Sequence, residues 1–366
     1  MSLKIDANLA TTELFNSLNR VRKSPSKNCI IDATIQTVLT GEKCLTYQYI
    51  LMTALVAKST DPSVDMLSLQ IDDNSAGAYA PRSLCKEVVY PFQKQFLENV
   101  LNGANNDPLV NKPARFLRLS RQNQARGAGK IALFALCDNL PKITTQAEAR
   151  SCLDFLMTKL LERADQKSKR RQVVQDATKS SSATDLRKFL TDLLDQGFGG
   201  DALVLTVSAL YRIQYPENEG FKVIPHPVNQ PGTSKKQFSD LDVTLNGLPF
   251  LATELKDKPF VEDDVRHAAV TASNSGVSGV LFVSGRFGSL SDQTRGYFSK
   301  VRADFENKGV YIGLCDVDTL MDIILVSNKN IDAPLILQGL YDQVCTNAGT
   351  PEEQMWVYGR LSSLSK

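Results

Sequence analysis

Two short runs near residue 250 carry acidic residues and a lysine at alternating positions. In SDLDVTL, Asp240 and Asp242 lie on the strand face opposite the leucines and the valine. In FLATELK, Glu254 and Lys256 share one side of the next strand. The Asn-Gly pair at 246–247 is a strong hairpin signal, which makes the two strands antiparallel neighbours. The sequence therefore predicts that an Asp, a Glu and a Lys come together across this hairpin.

This set of side chains has the chemistry that metal-dependent hydrolysis of a phosphodiester needs. Mg²⁺ binds carboxylate oxygens and keeps positions for water and phosphate. A lysine can hold the attacking water in line with the phosphorus, while the metal offsets charge on the leaving oxygen. We therefore expect Asp240 and Glu254 to be catalytic metal ligands and Lys256 to position the water. Asp242 is a further candidate ligand, because it shares a face with Asp240.

A simpler interpretation of the same residues is a salt bridge on an exposed hairpin. The segment LPFLATEL (248–255) is too apolar for a wholly solvated strand, and its polar partners cluster on one face. The pattern therefore favours a catalytic site over a surface ion pair.

The spacing D-x13-E-x-K from Asp240 resembles the PD-(D/E)xK nuclease signature, here in a strand–turn–strand followed by a helix and another strand. Together with TYQYILMTALVAKSTDPSVD and RSLCKEVVYP upstream, the stretch SDLDVTLNGLPFLATELKDKPF resembles type II restriction endonucleases of the SacI kind. In that family an aspartate opens the first strand and a glutamate lies on the second, which implies Asp240 rather than Asp242, together with Glu254. The family's basic residues after the glutamate vary, so Lys258 is a second candidate beside Lys256.

The resemblance implies an endonuclease that depends on Mg²⁺ and cuts double-stranded DNA at a short palindrome, with GAGCTC as the suggested kind of target. It also implies a homodimer whose twofold axis matches that of the site, and a cognate DNA methyltransferase as the genetic partner. Two alternatives stay open. One is a nuclease of the same fold in repair or modification-dependent defence, and the other is an inactive DNA-binding protein, which the intact Asp, Glu and Lys disfavour.

Hydrophobic spacing divides the chain into two parts. Up to about residue 200, apolar residues recur every three or four positions, which predicts helices. From about residue 220, β-rich runs and amphipathic segments follow in the order β, β, β, α, β, α, β, with a final helix from about 317. We expect an α/β (α+β) PD-(D/E)xK nuclease core, in which helices flank a mixed β-sheet, and a largely helical N-terminal half.

The charged and serine-rich stretch 165–185 is the best candidate boundary, as a mobile connection or a DNA-facing loop. We therefore expect residues 1–180 to form a mainly helical region for DNA recognition and dimerisation. Residues 181–366 would then form the catalytic domain.

Local clusters of basic residues are candidates for holding DNA through its phosphates. One cluster recurs every three residues, which would align its members along one helix face, and the other is the denser run KSKRR. Ordinary solvated surface is the competing interpretation of both. The candidate residues are Arg115, Arg118, Arg121, Lys169, Arg170 and Arg171.

Composition limits the remaining possibilities. With 42% hydrophobic and 22% charged residues in 366, the chain can bury a core and is not a disordered protein. A net charge of +2 means that a nucleic-acid site must come from local clustering. Seven cysteines without a CxxC pair are expected to be reduced thiols, and the two histidines make structural zinc improbable. We find no signal peptide or long apolar segment, and expect a soluble protein of the prokaryotic cytoplasm that does not contact membrane.

Overall fold

A computed structural model describes residues 3–40, 45–101, 107–226, 239–288, 292–346 and 349–364. The chain forms two compact units that divide between Arg170 and Arg171. This point lies inside the stretch 165–185.

The first unit is built from helices, as the apolar spacing predicts. The helix Leu45–Thr60 is buried on almost every side, and Tyr49, Met52 and Leu55 are among its buried residues. A short π-helix, Cys85–Val89, joins two of the helices. The helices are α1 (Ala7–Lys23), α2 (Asp32–Thr40), α3 (Leu45–Thr60), α4 (Pro81–Leu84), α5 (Tyr90–Phe96), α6 (Gly127–Asn139) and α7 (Gln146–Thr178).

The stretch 165–185 is mostly helical, so the expected loop is wrong. Helix α7 continues to Thr178, and the next helix begins at Ala183 with Ser182 as its N-cap. The Lys, Arg and Gln residues of this stretch are good helix formers, and Val174 is fully buried in the second unit's core. High charge marks the solvated side of a helix here rather than a break in it.

The second unit has a five-stranded mixed sheet with the spatial order β1-β2-β3-β4-β5 among the described residues. The strands are β1 (Phe221–Pro225), β2 (Leu241–Leu245), β3 (Leu248–Lys256), β4 (Gly279–Ser284) and β5 (Tyr311–Asp316). The first two pairings are antiparallel and the last two parallel. This confirms the predicted mixed sheet and the order of its elements.

Helices cover both faces of this sheet. They are α8 (Ala183–Gln196), α9 (Asp201–Gln214), α10 (Glu262–Asn274), α11 (Asp292–Glu306), α12 (Val317–Ser327), α13 (Ala333–Thr346) and α14 (Pro351–Ser362). The expected final helix from about 317 is therefore followed by two more. Leu241 and Leu255 belong to a core that includes α8, α9, α12 and α13, whereas Phe282 belongs to the core of α10 and α11.

The β2–β3 hairpin contains one extra residue. Asn246 and Gly247 have φ of 51° and 81°, as a two-residue hairpin loop of this type requires. Next to the loop Thr244 pairs with Pro249, but Val243 pairs with Leu251, so Phe250 has no partner in the register. This β-bulge shifts the pairing of everything beyond it by one residue.

The outer edge of β5 is covered by a charged side chain. Arg302 of α11 donates a hydrogen bond from Nε to the carbonyl oxygen of Ile312 at 3.0 Å. Its guanidinium also lies over the ring of Tyr311, 5.4 Å from the centroid. A strand edge is a template for further pairing, and a charged group on it blocks that pairing.

Candidate active site

Asp240, Glu254 and Lys256 lie together at the end of the sheet where β2 begins and β3 ends. Because Leu241 pairs with Thr253, Asp240 lies opposite Glu254. Lys256 Nζ is 3.0 Å from Glu254 Oε1. Asp240 Oδ2 accepts a hydrogen bond from the Leu255 backbone N–H at 3.0 Å, which fixes the carboxylate against the neighbouring strand. The structure thus brings together the three residues that the hairpin argument grouped.

The bulge at Phe250 decides that Asp240 and Glu254 share a face. Without it, regular pairing from the two-residue loop would place Asp240 opposite Thr253, and Glu254, the next residue of β3, would point to the other face of the sheet. A plain hairpin, as expected from Asn246-Gly247, lacks this one-residue offset. The signal that could have revealed it is Pro249, because proline inside a strand is confined to edges and bulges.

Burial and a neighbouring negative charge disfavour the ionised form of Glu254. Burial and, next, the charge of Asp240 together raise the pKa of Glu254 to about 7, although Lys256 opposes the rise. For Lys256, burial lowers the pKa, but Glu254, Asp240 and Asp264 together outweigh burial, so the net pKa is raised. Asp264 Oδ1 lies 3.8 Å from Lys256 Nζ. Lysine therefore stays charged in a site that has an excess of carboxylates.

The donor set fits a hard divalent cation. The negative charge of Asp240 helps to raise the pKa of Glu254, and a positive ion would relieve this repulsion. Mg²⁺ binds through one or two carboxylates while substrate phosphate and water complete its ligands. In the part of the chain that the structure describes, no group of three or more His, Cys, Asp or Glu residues is placed to hold a metal. Asp240 and Glu254 would therefore supply only part of the coordination of a bound ion.

Asp242, the other candidate ligand, lies on the same face but is only 2% exposed. Its Oδ2 lies 2.7 Å from His226 Nε2, and its Oδ1 lies 2.6 Å from Ser239 Oγ. Ser239 Oγ also accepts a hydrogen bond from the Thr253 backbone N–H at 3.0 Å. These contacts tie β1, β2 and β3 together, and neither His226 nor Ser239 was singled out by the sequence analysis. They favour Asp240 over Asp242 as the accessible ligand.

A pocket of about 600 Å³ opens beside Asp240 and Lys256. Its walls include Lys258, Phe287 and the glycine-rich segment 197–200. In that segment all three glycines have positive φ, between 64° and 103°, which an L side chain rarely adopts. The pocket is large enough for a nucleotide unit, and both candidate lysines line it.

Three arginines predicted to share a helix face do not lie on one helix. Arg115 ends a short 3₁₀-helix, Arg118 forms an isolated bridge with Ser68, and Arg121 lies in a turn. The expectation was wrong because no regular helix passes through this segment. Pro113 disfavours a continuous helix, and the backbone is extended directly after the 3₁₀-helix, with φ −70° and ψ 154° at Phe116.

Two of these arginines are engaged by acids of the same unit. Arg118 pairs with Asp65 and Asp73, each at 3.1 Å. Arg121 pairs with Asp138. Arg115 donates from Nε to a backbone carbonyl at 2.6 Å. Contact of this cluster with DNA stays a prediction, and these internal partners weaken it.

The other basic cluster lies on α7. Lys169 and Arg170 are exposed, whereas Arg171 Nε lies 2.8 Å from Asp342 Oδ1. An exposed lysine on a helix, such as Lys169, is accessible to phosphate oxygens. Contact of this cluster with DNA likewise stays a prediction.

Two family models together match most of the chain. A model of the SacI restriction endonuclease N-terminal domain matches residues 9–164, and a model of the SacI restriction endonuclease C-terminal domain matches residues 178–286. The second match includes the hairpin with Asp240, Glu254 and Lys256. None of the curated proteins compared with the chain matches it. No helix among the described residues is long and apolar enough to cross a membrane.

The raised pKa of Glu254 predicts a pH-dependent effect of Glu254→Gln on stability. A raised folded-state pKa contributes stability below the unfolded pKa of 4.5, and this contribution is lost as pH rises through about 7. In chelator, the unfolding free energy of the variant relative to the wild type should therefore rise between about pH 5 and pH 8, by on the order of 3 kcal/mol at most. Urea denaturation across this range measures it, and parallel pH profiles for the two proteins would contradict it.

Proposed function

Because the chain belongs to the SacI restriction endonuclease family, we propose that it uses Mg²⁺ to hydrolyse double-stranded DNA at a short palindromic site. Membership makes it a restriction endonuclease, and hence a DNA nuclease. The observation that carries the finer proposal is the placement of Asp240 opposite Glu254, with Lys256 Nζ 3.0 Å from the glutamate. This geometry, beside an open pocket that Asp240 and Lys256 line, supports a PD-(D/E)xK site.

The proposed mechanism gives each of these residues one task. Asp240 and Glu254 would hold Mg²⁺, which would supply polarisation of the scissile phosphate and stabilisation of charge on the leaving oxygen. Lys256 holds the attacking water in line and, through its positive charge, favours removal of a proton from it. The Asp240 carboxylate is oriented by the Leu255 backbone N–H. Asp242, with Ser239 and His226, keeps the strands in the register that this arrangement needs.

The wider proposal follows from the substrate's symmetry. A palindrome presents the same bases to two identical subunits, so the enzyme would act as a homodimer whose axis coincides with that of the site. The family name makes a GAGCTC-like target the first to test. The enzyme would work in the cytoplasm of a prokaryotic cell, beside a methyltransferase that protects the host's copies of the site.

Cleavage of unmodified phage DNA tests the function. With Mg²⁺ the wild type should give discrete fragments whose sequenced ends share one palindrome, and chelator should abolish them. Asp240→Asn and Glu254→Ala should each lower the rate by at least about 10²-fold, since each removes several kcal/mol of transition-state stabilisation. Asp242→Asn should lower stability by about 1–3 kcal/mol but retain more activity than Asp240→Asn.

Asp263→Asn is the matched control, because Asp263 is an exposed acid in the first turn of the neighbouring α10. Its cleavage rate should stay within a few-fold of the wild type. Tight DNA binding without cutting in any divalent metal would contradict the catalytic proposal and favour an inactive DNA-binding protein. A smear of fragments would contradict site specificity and favour a repair or defence nuclease.

The bulge predicts that the number of residues in β3 matters more than the identity of residue 250. Deletion of Phe250 should restore regular pairing, place Asp240 and Glu254 on opposite faces and abolish cleavage. Phe250→Ala keeps the count and loses only ring contacts with Tyr215 and Phe221, so it should retain cleavage within about 10-fold. Circular dichroism checks that both variants fold. A folded deletion variant that cleaves like the wild type would overturn the proposed arrangement.

The exposed cations of α7 predict a measurable electrostatic contribution to DNA binding. In a Glu254→Ala background, which prevents cleavage, Lys169→Ala should weaken binding to any sequence and reduce the slope of log affinity against log salt by about 1. Arg121→Ala is the comparison variant, because its guanidinium is already paired with Asp138. Fluorescence anisotropy over a range of salt measures both slopes. Equal slopes for Lys169→Ala and the parent would exclude this phosphate contact.

A further inference from the structure

A second, smaller cavity lies among α9, α13 and the start of α14. Its free volume is about 30 Å³, which is room for one or two water-sized species and excludes a nucleotide. The proposed nuclease mechanism does not use it. The residues that line it are Asp201, Val204, Leu205, His226, Gln343, Val344, Gly349 and Glu353.

Two acids line this cavity, and no Lys or Arg is among its described lining residues. Asp201 is the first residue of α9, burial raises its pKa, and its carboxylate has no hydrogen-bond or ion-pair partner among the described residues. Glu353 is 1% exposed and accepts a hydrogen bond from the Thr350 backbone N–H at 2.9 Å. Burial, with a smaller contribution from the charge of Asp201, raises the pKa of Glu353 to about 7 against the opposing effect of the Thr350 hydrogen bonds. The two carboxylates are therefore close enough to repel each other.

A third oxygen at the cavity is also unsatisfied. Gln343 is only 5% exposed, and its Oε1 has no hydrogen-bond partner within the part of the chain that the structure describes. A buried carbonyl without a donor costs free energy unless a water or an ion supplies the contact. Of the lining residues His226 alone is basic, and its Nε2 already contacts Asp242. The cavity thus combines negative charge, an orphaned acceptor and room for one small species.

We infer that this cavity binds a hard cation of the Ca²⁺ class through Asp201, Glu353 and the amide oxygen of Gln343. Ca²⁺ accepts carboxylates through one or both oxygens in flexible geometry, so two carboxylates, one amide oxygen and one or two waters can surround it. Mg²⁺ requires near-octahedral geometry and keeps several waters, for which about 30 Å³ has no room. The ion joins the first turn of α9, the last turns of α13 and the first turn of α14. Because Asp201 directly follows the segment 197–200, the ion also anchors one wall of the catalytic pocket.

The chain's only tryptophan reports on this site. Trp356 lies one helical turn after Glu353 on α14, close enough to sensitise the luminescence of Tb³⁺, a Ca²⁺ analogue. The experiment uses the full-length Asp240→Asn/Glu254→Gln protein, so that the catalytic carboxylates do not bind the probe. We expect sensitised Tb³⁺ emission that Ca²⁺ displaces. Glu353→Gln or Asp201→Asn added to this protein should weaken Tb³⁺ binding at least about tenfold, because each removes one of two anionic ligands.

Thermal unfolding gives a second measurement. If Glu353 had a purely structural role, Ca²⁺ would not change the Tm. Saturating Ca²⁺ should raise the Tm of the Asp240→Asn/Glu254→Gln protein by about 5–10 °C. With Glu353→Gln added, the protein should lose this response yet be at least as stable in chelator, since glutamine still serves the capping box and removes an uncompensated buried charge.

Glu352→Gln is the matched control, because Glu352 is the adjacent acid of the same turn but is exposed. It should leave both Tb³⁺ binding and the Ca²⁺ response unchanged. If the Asp240→Asn/Glu254→Gln protein shows neither emission nor a Tm shift, the cation site is refuted and Asp201 and Glu353 share a proton instead. Emission that persists in Glu353→Gln would equally refute it. Because the catalytic pair is absent throughout, failure here leaves the nuclease proposal untouched.

Discussion

The position of Asp240 depends on a single unpaired residue in the neighbouring strand. Side chains alternate strictly along β2 and β3, so the two acids of the hairpin can share a face only if the pairing is offset by one. Phe250 supplies the offset, and its ring packs against Tyr215 and Phe221 at 5.6 and 5.2 Å between centroids. Pro249 beside it has no N–H to give to a regular ladder. The site is thus built from an irregularity that local packing holds in place.

Electrostatic strain follows from that placement. Once Asp240 lies beside the more deeply buried Glu254, the repulsion between them has to be offset by a cation, and Lys256 provides one charge for two carboxylates. Asp242 next to them avoids the same problem because Ser239 and His226 contact both of its oxygens. Two aspartates on one strand face therefore have different chemical environments. One is a hydrogen-bonded part of the core, and the other faces the pocket.

Local sequence signals predicted the sheet well and the basic surface poorly. Asn246-Gly247 and the apolar alternation depend on neighbouring residues, so the hairpin, the strand order and the mixed sheet could be read directly. The arginine spacing also looked local, but the acids that pair with Arg118 lie about 45 and 53 residues away in the chain, beyond any pattern. Likewise, the choice between Asp240 and Asp242 depends on burial, which their shared periodicity does not contain. The charged run 165–185 has the composition of a linker, because most of its residues lie on the solvated side of a helix. Few buried positions such as Val174 lie between them to indicate the helical period.

The edge of β5, which Arg302 covers, limits how two copies of the chain can associate. Many β-proteins assemble by joining sheets edge to edge, which makes one continuous sheet across the contact and also exposes the chain to uncontrolled fibre growth. Here the Arg302 guanidinium occupies the Ile312 carbonyl that an incoming strand would need. A second subunit cannot extend the sheet on this side without first displacing that charge. Edge-to-edge self-association through β5 is therefore disfavoured.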